Sequence, residues 1–204
     1  GGETVLMTAA RVGNPEVVKA LLARGANPNA QERREQTALM WAAAEGHATV
    51  VRALIEAGST INATLTSGFT PLFFAVREGH IDVVRVLLEA GVNVNETLQP
   101  KADRPASPLG ANYKPIRNGT SPLMLAVENG HFELAIALVE AGADPNDQRS
   151  GFTALHAISW VRKPDASDVG DPAPIGSGSL TSLQFVRALV DRGANVNARL
   201  AKVP

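Results

Sequence analysis

Histidine is the side chain best suited to acid–base or metal chemistry near neutral pH, and this chain has four. His47, His80 and His131 each follow a glycine and recur 33 and then 51 residues apart. That spacing is too wide for one metal ion to gather them, and it points to a structural position filled again and again. His156 stands in a different local pattern, Thr153-Ala154-Leu155-His156. Other chemical sets are incomplete. There is no cysteine, which removes disulfides, thiolate metal sites and thiol nucleophiles. No serine has a histidine partner at a recognisable spacing. Gly176-Ser177-Gly178-Ser179 lacks the lysine of a phosphate-cradling loop and reads as linker. Asp165, Asp168 and Asp171 recur every third residue, which is not the spacing of a calcium loop, so a solvated turn explains them.

The composition agrees with a scaffold more than with a reactive pocket. At 204 residues with 45% apolar and 19% charged residues, the chain has material for a core. Only 4% of residues are aromatic, so Ala, Leu and Val must fill that core, as closely stacked helices allow. The formal charge of −1 removes the broad basic footprint of a dedicated nucleic-acid binder. No apolar run approaches the roughly 20 residues of a membrane-spanning helix, and Gly1-Gly2-Glu3-Thr4 is not a signal-peptide start. The compartment is left open. Arg-rich, Lys-poor and Ala-rich usage fits a bacterial source.

The elements that place these residues come from a repeat. Gly25, Gly58 and Gly91 lie 33 apart, and Gly142 and Gly193 follow at intervals of 51. Thr37-Ala38-Leu39-Met40-Trp41-Ala42, Thr70-Pro71-Leu72-Phe73-Phe74-Ala75, Ser121-Pro122-Leu123-Met124-Leu125-Ala126 and Thr153-Ala154-Leu155-His156-Ala157-Ile158 overlay, with Thr4-Val5-Leu6-Met7-Thr8-Ala9 as the fifth copy. Thr or Ser caps a helix that starts with a residue such as Pro71 or Pro122. A glycine at 13, 46, 79 or 130 ends it. A second helix follows, as over Ile81 to Ala90, with Val83, Val84, Leu87 and Leu88 forming a buried stripe. Two antiparallel helices and a turn cannot bury their apolar face alone, so neighbouring units must stack. In this frame Trp41 reads as core.

The Thr-Pro-Leu-x-x-Ala, Gly-His and Gly-Ala-Asn-x-Asn motifs, recurring in register over nearly the whole chain, resemble the ankyrin repeat. The resemblance implies an all-α solenoid of stacked helix-turn-helix units with projecting turns, interrupted here by two long loop inserts. One array covers 1–204: repeats at 1–31, 32–64 and 65–97, a Pro-rich insert at 98–115, a repeat at 116–147, and a fifth at 148–199 holding an insert at 162–180. The histidines then tie loops together by imidazole hydrogen bonds. Neither terminal unit carries an obviously polar cap, so the chain reads as a piece of a longer protein.

The resemblance also implies non-enzymatic protein binding on a concave face made by the turns and the ends of the first helices. By register the turn positions Gln36, Phe69 and Phe152, like Thr120, should be exposed, with basic residues Arg33, Arg34 and Arg117 on the turns. The helix ends supply Glu45, Arg77, Glu78, Glu128, Asn129 and Trp160, together with Arg11. Tyr113, Phe152, Trp160 and the two inserts are expected to form one recognition patch, since aromatic and Arg side chains dominate binding energetics. Prolines 100, 105, 108 and 115 restrict the first insert to extended forms. The alternative is a structural spacer with no dedicated ligand. The expectation is a protein partner, no nucleic acid, no membrane, no cofactor or metal, and a monomer.

Overall fold

The computed structural model of the protein describes residues 1–99, 118–159, 161 and 176–200. Among these residues the structure is helical, with no strand: α1 (Val5–Val12), α2 (Pro15–Ala23), α3 (Ala38–Ala44), α4 (Ala48–Glu56), α5 (Pro71–Glu78), α6 (Ile81–Glu89), α7 (Pro122–Glu128), α8 (Phe132–Glu140), α9 (Ala154–Ala157) and α10 (Ser182–Asp191). The first helix of each pair starts where the sequence supplies an acceptor for its free N–H groups. Thr4, Thr37, Thr70, Ser121 and Thr153 each accept a hydrogen bond from the backbone N–H three residues on.

The odd-numbered helices stack on one another as one layer. In the second layer α2 lies against α4, α4 against α6, and α8 against α10. Short side chains let the layers approach: Ala10, Ala42, Ala43, Ala75 and Ala126 have no solvent exposure.

Three imidazoles join the units. The ring Nε2–H of His47 donates to the carbonyl of Arg11, that of His80 to Ala44 and that of His131 to Arg77, at 3.0, 3.0 and 2.9 Å. Each ring lies against the glycine that ends the preceding unit's first helix. A Cβ on Gly13, Gly46 or Gly79 would come within 2.4, 2.7 or 2.5 Å of the imidazole, and all three hold φ near +80°. Glycine is needed there for both reasons. His156 serves its own helix instead, its Nδ1 accepting from the Thr153 N–H at 3.3 Å. At the last junction α10 is capped by Thr181 instead of a histidine, and the returning end of the second insert bonds the start of α8. The Ser177 N–H donates to Nδ1 of His131 at 2.9 Å, and the Leu180 N–H to the Glu133 carboxylate at 2.7 Å.

The projecting turns share one construction. The Glu32 N–H donates to the Gln36 carbonyl and the Glu35 N–H to the Glu32 carbonyl; Leu65, Phe69 and Gly68 repeat this pattern. At the third turn the Leu98 N–H donates to the Thr120 carbonyl at 2.8 Å and the Gly119 N–H to the Leu98 carbonyl at 2.9 Å. The same two bonds that elsewhere close a tip of two residues here bracket residues 99–118, so the first insert is grafted onto a turn tip without altering its base. Thr120, expected to be exposed, is buried by this pairing.

Leu87 has no solvent exposure, and Leu87→Ala is expected to lower stability by roughly 2–5 kcal/mol in a denaturant melt. Replacing residues 99–118 by Thr-Ser, the tip of the preceding turn, should leave the helical circular dichroism unchanged and raise the melting temperature. Closing the shorter loop costs about 2 kcal/mol less entropy. A fall in melting temperature would show that the insert helps to hold the stack.

Candidate partner interface

The ends of α1, α3, α5 and α7 and the turn tips beside them bring most of the described candidate residues to one side of the array. Arg77 is the most firmly held. Its guanidinium lies 5.3 and 5.2 Å from the ring centroids of Phe69 and Phe74, and its Nε donates to Glu78 Oε1 at 2.7 Å. Stacking on two aromatic faces fixes a cation that is otherwise costly to order. Its main chain is held as well, through the His131 imidazole on its carbonyl. The exposure expected for Phe69 is corrected here. Only 7% exposed, it packs its ring against Phe73 and Phe74 at centroid distances of 5.9 and 5.2 Å. Its part is to carry Arg77.

A second such pair forms across a junction. Arg11 of α1 sits 5.4 Å from the Trp41 ring of α3, with its guanidinium 3.5 Å from Glu3. Trp41 is therefore half-buried under a cation, contrary to its core placement. Its indole N–H is enclosed and has no partner among the described residues. The Arg77 pairing is partly local, since Phe74 stands three residues before Arg77 on α5, but the Arg11 pairing is not. Arg11 and Trp41 are thirty residues apart, and only the overlay of adjacent repeats suggests their contact.

The remaining expected residues divide. Glu45 and Glu78 are exposed at the helix ends, and Arg33 and Arg34 are exposed on the second turn. Gln36 is half-buried, its N–H 3.3 Å from the Glu32 carboxylate. Asn129 spends its amide on the Leu125 carbonyl at 2.8 Å. Glu128 is half-buried, and Phe152 is half-buried against the core. Tyr113, Arg117 and Trp160, and with them the expected patch around the inserts, lie outside the described residues.

The turn layer holds charge in a way the sequence reading missed. Glu35 has φ of +65° where the other turns have Gly68, Gly119 and Gly151. A side chain there is strained, and its carboxylate recovers the cost by accepting from the Thr66 N–H and hydroxyl at 2.7 and 2.8 Å. Arg149 makes a two-pronged contact with Asp147, both arms at 2.8 Å, and donates to the Asn95 carbonyl at 3.0 Å. Burial pushes the Asp147 carboxyl up, but the hydrogen bonds and charge of Arg149, with help from Ser121, outweigh it and leave the group below its ordinary value. At the equivalent place Glu96 has the Thr70 hydroxyl alone among the described residues, and burial holds its carboxyl above the usual range.

Among the described residues no three His, Asp or Glu side chains gather to hold a metal ion, and no helix is long and apolar enough to cross a membrane. Residues 2–97 and 105–166 match the family model described as ankyrin repeats (3 copies). A comparison with curated proteins finds no match.

The two carboxylates predict opposite pH behaviour. The bonds of Asp147 stabilise the fold above its ordinary value of 3.8 and are lost as pH falls through its depressed folded value. Asp147→Asn should therefore cost about 1 kcal/mol at pH 7, a modest figure because Arg149 is half in water, and nothing at the acid end. Glu96 is disfavoured as a charge once pH rises above 4.5, so Glu96→Gln should be neutral or stabilising at pH 7 and silent below that value. Thermal melts across pH check both.

Proposed function

The chain belongs to the ankyrin-repeat family, and from that premise we propose that it binds a partner protein on the side where the first helices end and the turns project. Ankyrin repeats are generally protein–protein interaction modules and typically have no catalytic role. The choice of face rests above all on Arg77, a cation held on two aromatic rings at its side chain and by an imidazole at its carbonyl. A surface so fixed loses little ordering entropy when a partner arrives. Arg11 on Trp41 repeats the arrangement two units away, and the exposed Glu45 and Glu78 alternate with these cations. A surface of both signs selects partners by charge pattern more than by net charge.

The histidines act here as positioning residues. His47 and His131 bond the carbonyls of Arg11 and Arg77 themselves, so the framework bond and the displayed cation share one residue. Arg33 and Arg34 extend the surface to the rim at the second turn.

Affinity capture with the parent and with Arg77→Ala and Arg11→Ala variants tests the face. Truncating an Arg anchor is expected to weaken binding by about 2 kcal/mol, roughly thirtyfold, with the helical spectrum unchanged. A partner held equally by the parent and by both variants would place binding on another surface.

A further inference from the structure

The turn between α2 and α3 keeps its positive charges apart from its negative ones. Arg33 and Arg34 are the two central residues of its tip, which the Glu35 N–H closes on the Glu32 carbonyl at 2.9 Å. The carboxylates on either side do not answer them. Glu32 Oε1 turns back to accept the N–H groups of Arg34 and Gln36 at 2.7 and 3.3 Å. The Glu35 carboxylate reaches the next turn, where it accepts the Thr66 N–H and hydroxyl at 2.7 and 2.8 Å. Both arginine side chains are left exposed, and their guanidinium groups make no ion pair or hydrogen bond with the described residues.

The other described tips supply the contrast. Thr66 and Ser67 fill the same two places between α4 and α5 and carry no charge. Arg149 and Ser150 fill them before α9, where the Gly151 N–H closes on the Gln148 carbonyl at 2.7 Å. That arginine is used within the fold: two of its nitrogens grip Asp147 at 2.8 Å and the third donates to the Asn95 carbonyl at 3.0 Å. Its own N–H bonds Asp147 Oδ1, just as the Arg34 N–H bonds Glu32 Oε1. Arg34 therefore has a carboxylate at the same two-residue offset, and its guanidinium does not take it. The kind of anion that fits follows from what is left. The N–H groups of Glu32, Arg34, Glu35 and Gln36 all have acceptors within the turn, so they form no backbone cradle for a phosphate. Two separate guanidinium forks remain, and each matches a carboxylate. Glu45 and Glu78, exposed on the same side, repel a long polyanion such as a nucleic-acid strand and confine the complement to a short segment at the rim.

We propose that the partner protein meets this tip with an acidic segment, a short run of Asp or Glu whose carboxylates pair with Arg33 and Arg34. The inference rests on the reading that binding occurs on the side of the projecting turns, and it adds the chemistry of the partner there. Glu35 prepares the tip, since its grip on Thr66 fixes the turn before the partner arrives. Charge pairs at an exposed rim speed encounter and set orientation more than they add affinity, and salt weakens them.

Amide NMR of the chain titrated with a short Asp/Glu peptide at low ionic strength tests this without the partner in hand. The amides of residues 32–36 are expected to shift, and the effect to fade as salt is raised. Arg33→Thr combined with Arg34→Ser, which copies the Thr66-Ser67 tip, should weaken the peptide about fivefold. Arg85→Ser combined with Arg187→Ser removes the same charge from exposed places elsewhere and should leave peptide binding unchanged. All four residues are exposed, so circular dichroism should show the fold intact in both variants. The proposal is overturned by shifts that are absent or fall elsewhere, by equal weakening in the two double variants, or by inorganic phosphate moving the same amides at a lower concentration than the peptide. Capture with Arg11→Ala and Arg77→Ala judges the binding side separately, so that side can fail while the titration still decides the tip.

Discussion

No helix described in this chain exceeds ten residues, and helices so short do not persist alone in water. Every unit must therefore borrow its stability from the one beside it. The most regular form of that borrowing is the imidazole of one repeat donating to the last turn of the preceding repeat's first helix. The bond needs a glycine at the contact, because the ring occupies the space a Cβ would fill and the backbone there is left-handed. Gly and His are thus one device, split across two repeats.

That device also holds the residues at the surface proposed for binding. The carbonyls it seizes belong to Arg11, Ala44 and Arg77, the residues at which the first helices turn toward the open side. Framework and display are joined at the same backbone atoms. Where Arg occupies the position, aromatic rings take up its side chain: Trp41 from the next repeat for Arg11, Phe69 and Phe74 from its own repeat for Arg77. The array thereby uses some of its few aromatic residues as platforms for cations.

The departures from regularity are absorbed without breaking the stack. The first insert leaves and returns through the two hydrogen bonds that close any turn of the array. The second ends in a segment fastened to the start of α8 by His131 and Glu133. Glu35 shows the same economy, a strained backbone compensated by a carboxylate that grips the next turn. In each case an irregular piece of chain is tied to the stack by hydrogen bonds of its own.

The sequence by itself determined the repeat, its helices and its polar ties. Thr and Ser caps, terminating glycines and the period of 33 are local signals, and they set where each helix starts and stops. They also assign histidine its place in the framework. What only the tertiary structure decided is the cover over each side chain. Phe69 has the turn position of an exposed residue and is buried, and Trp41 has the position of a core residue and lies half-open under Arg11. Val17 carries the pattern of a sealed stripe and meets solvent. The reason is physical: in a stacked array the cover of one unit is the face of its neighbour, so residues about thirty positions away settle what a side chain touches.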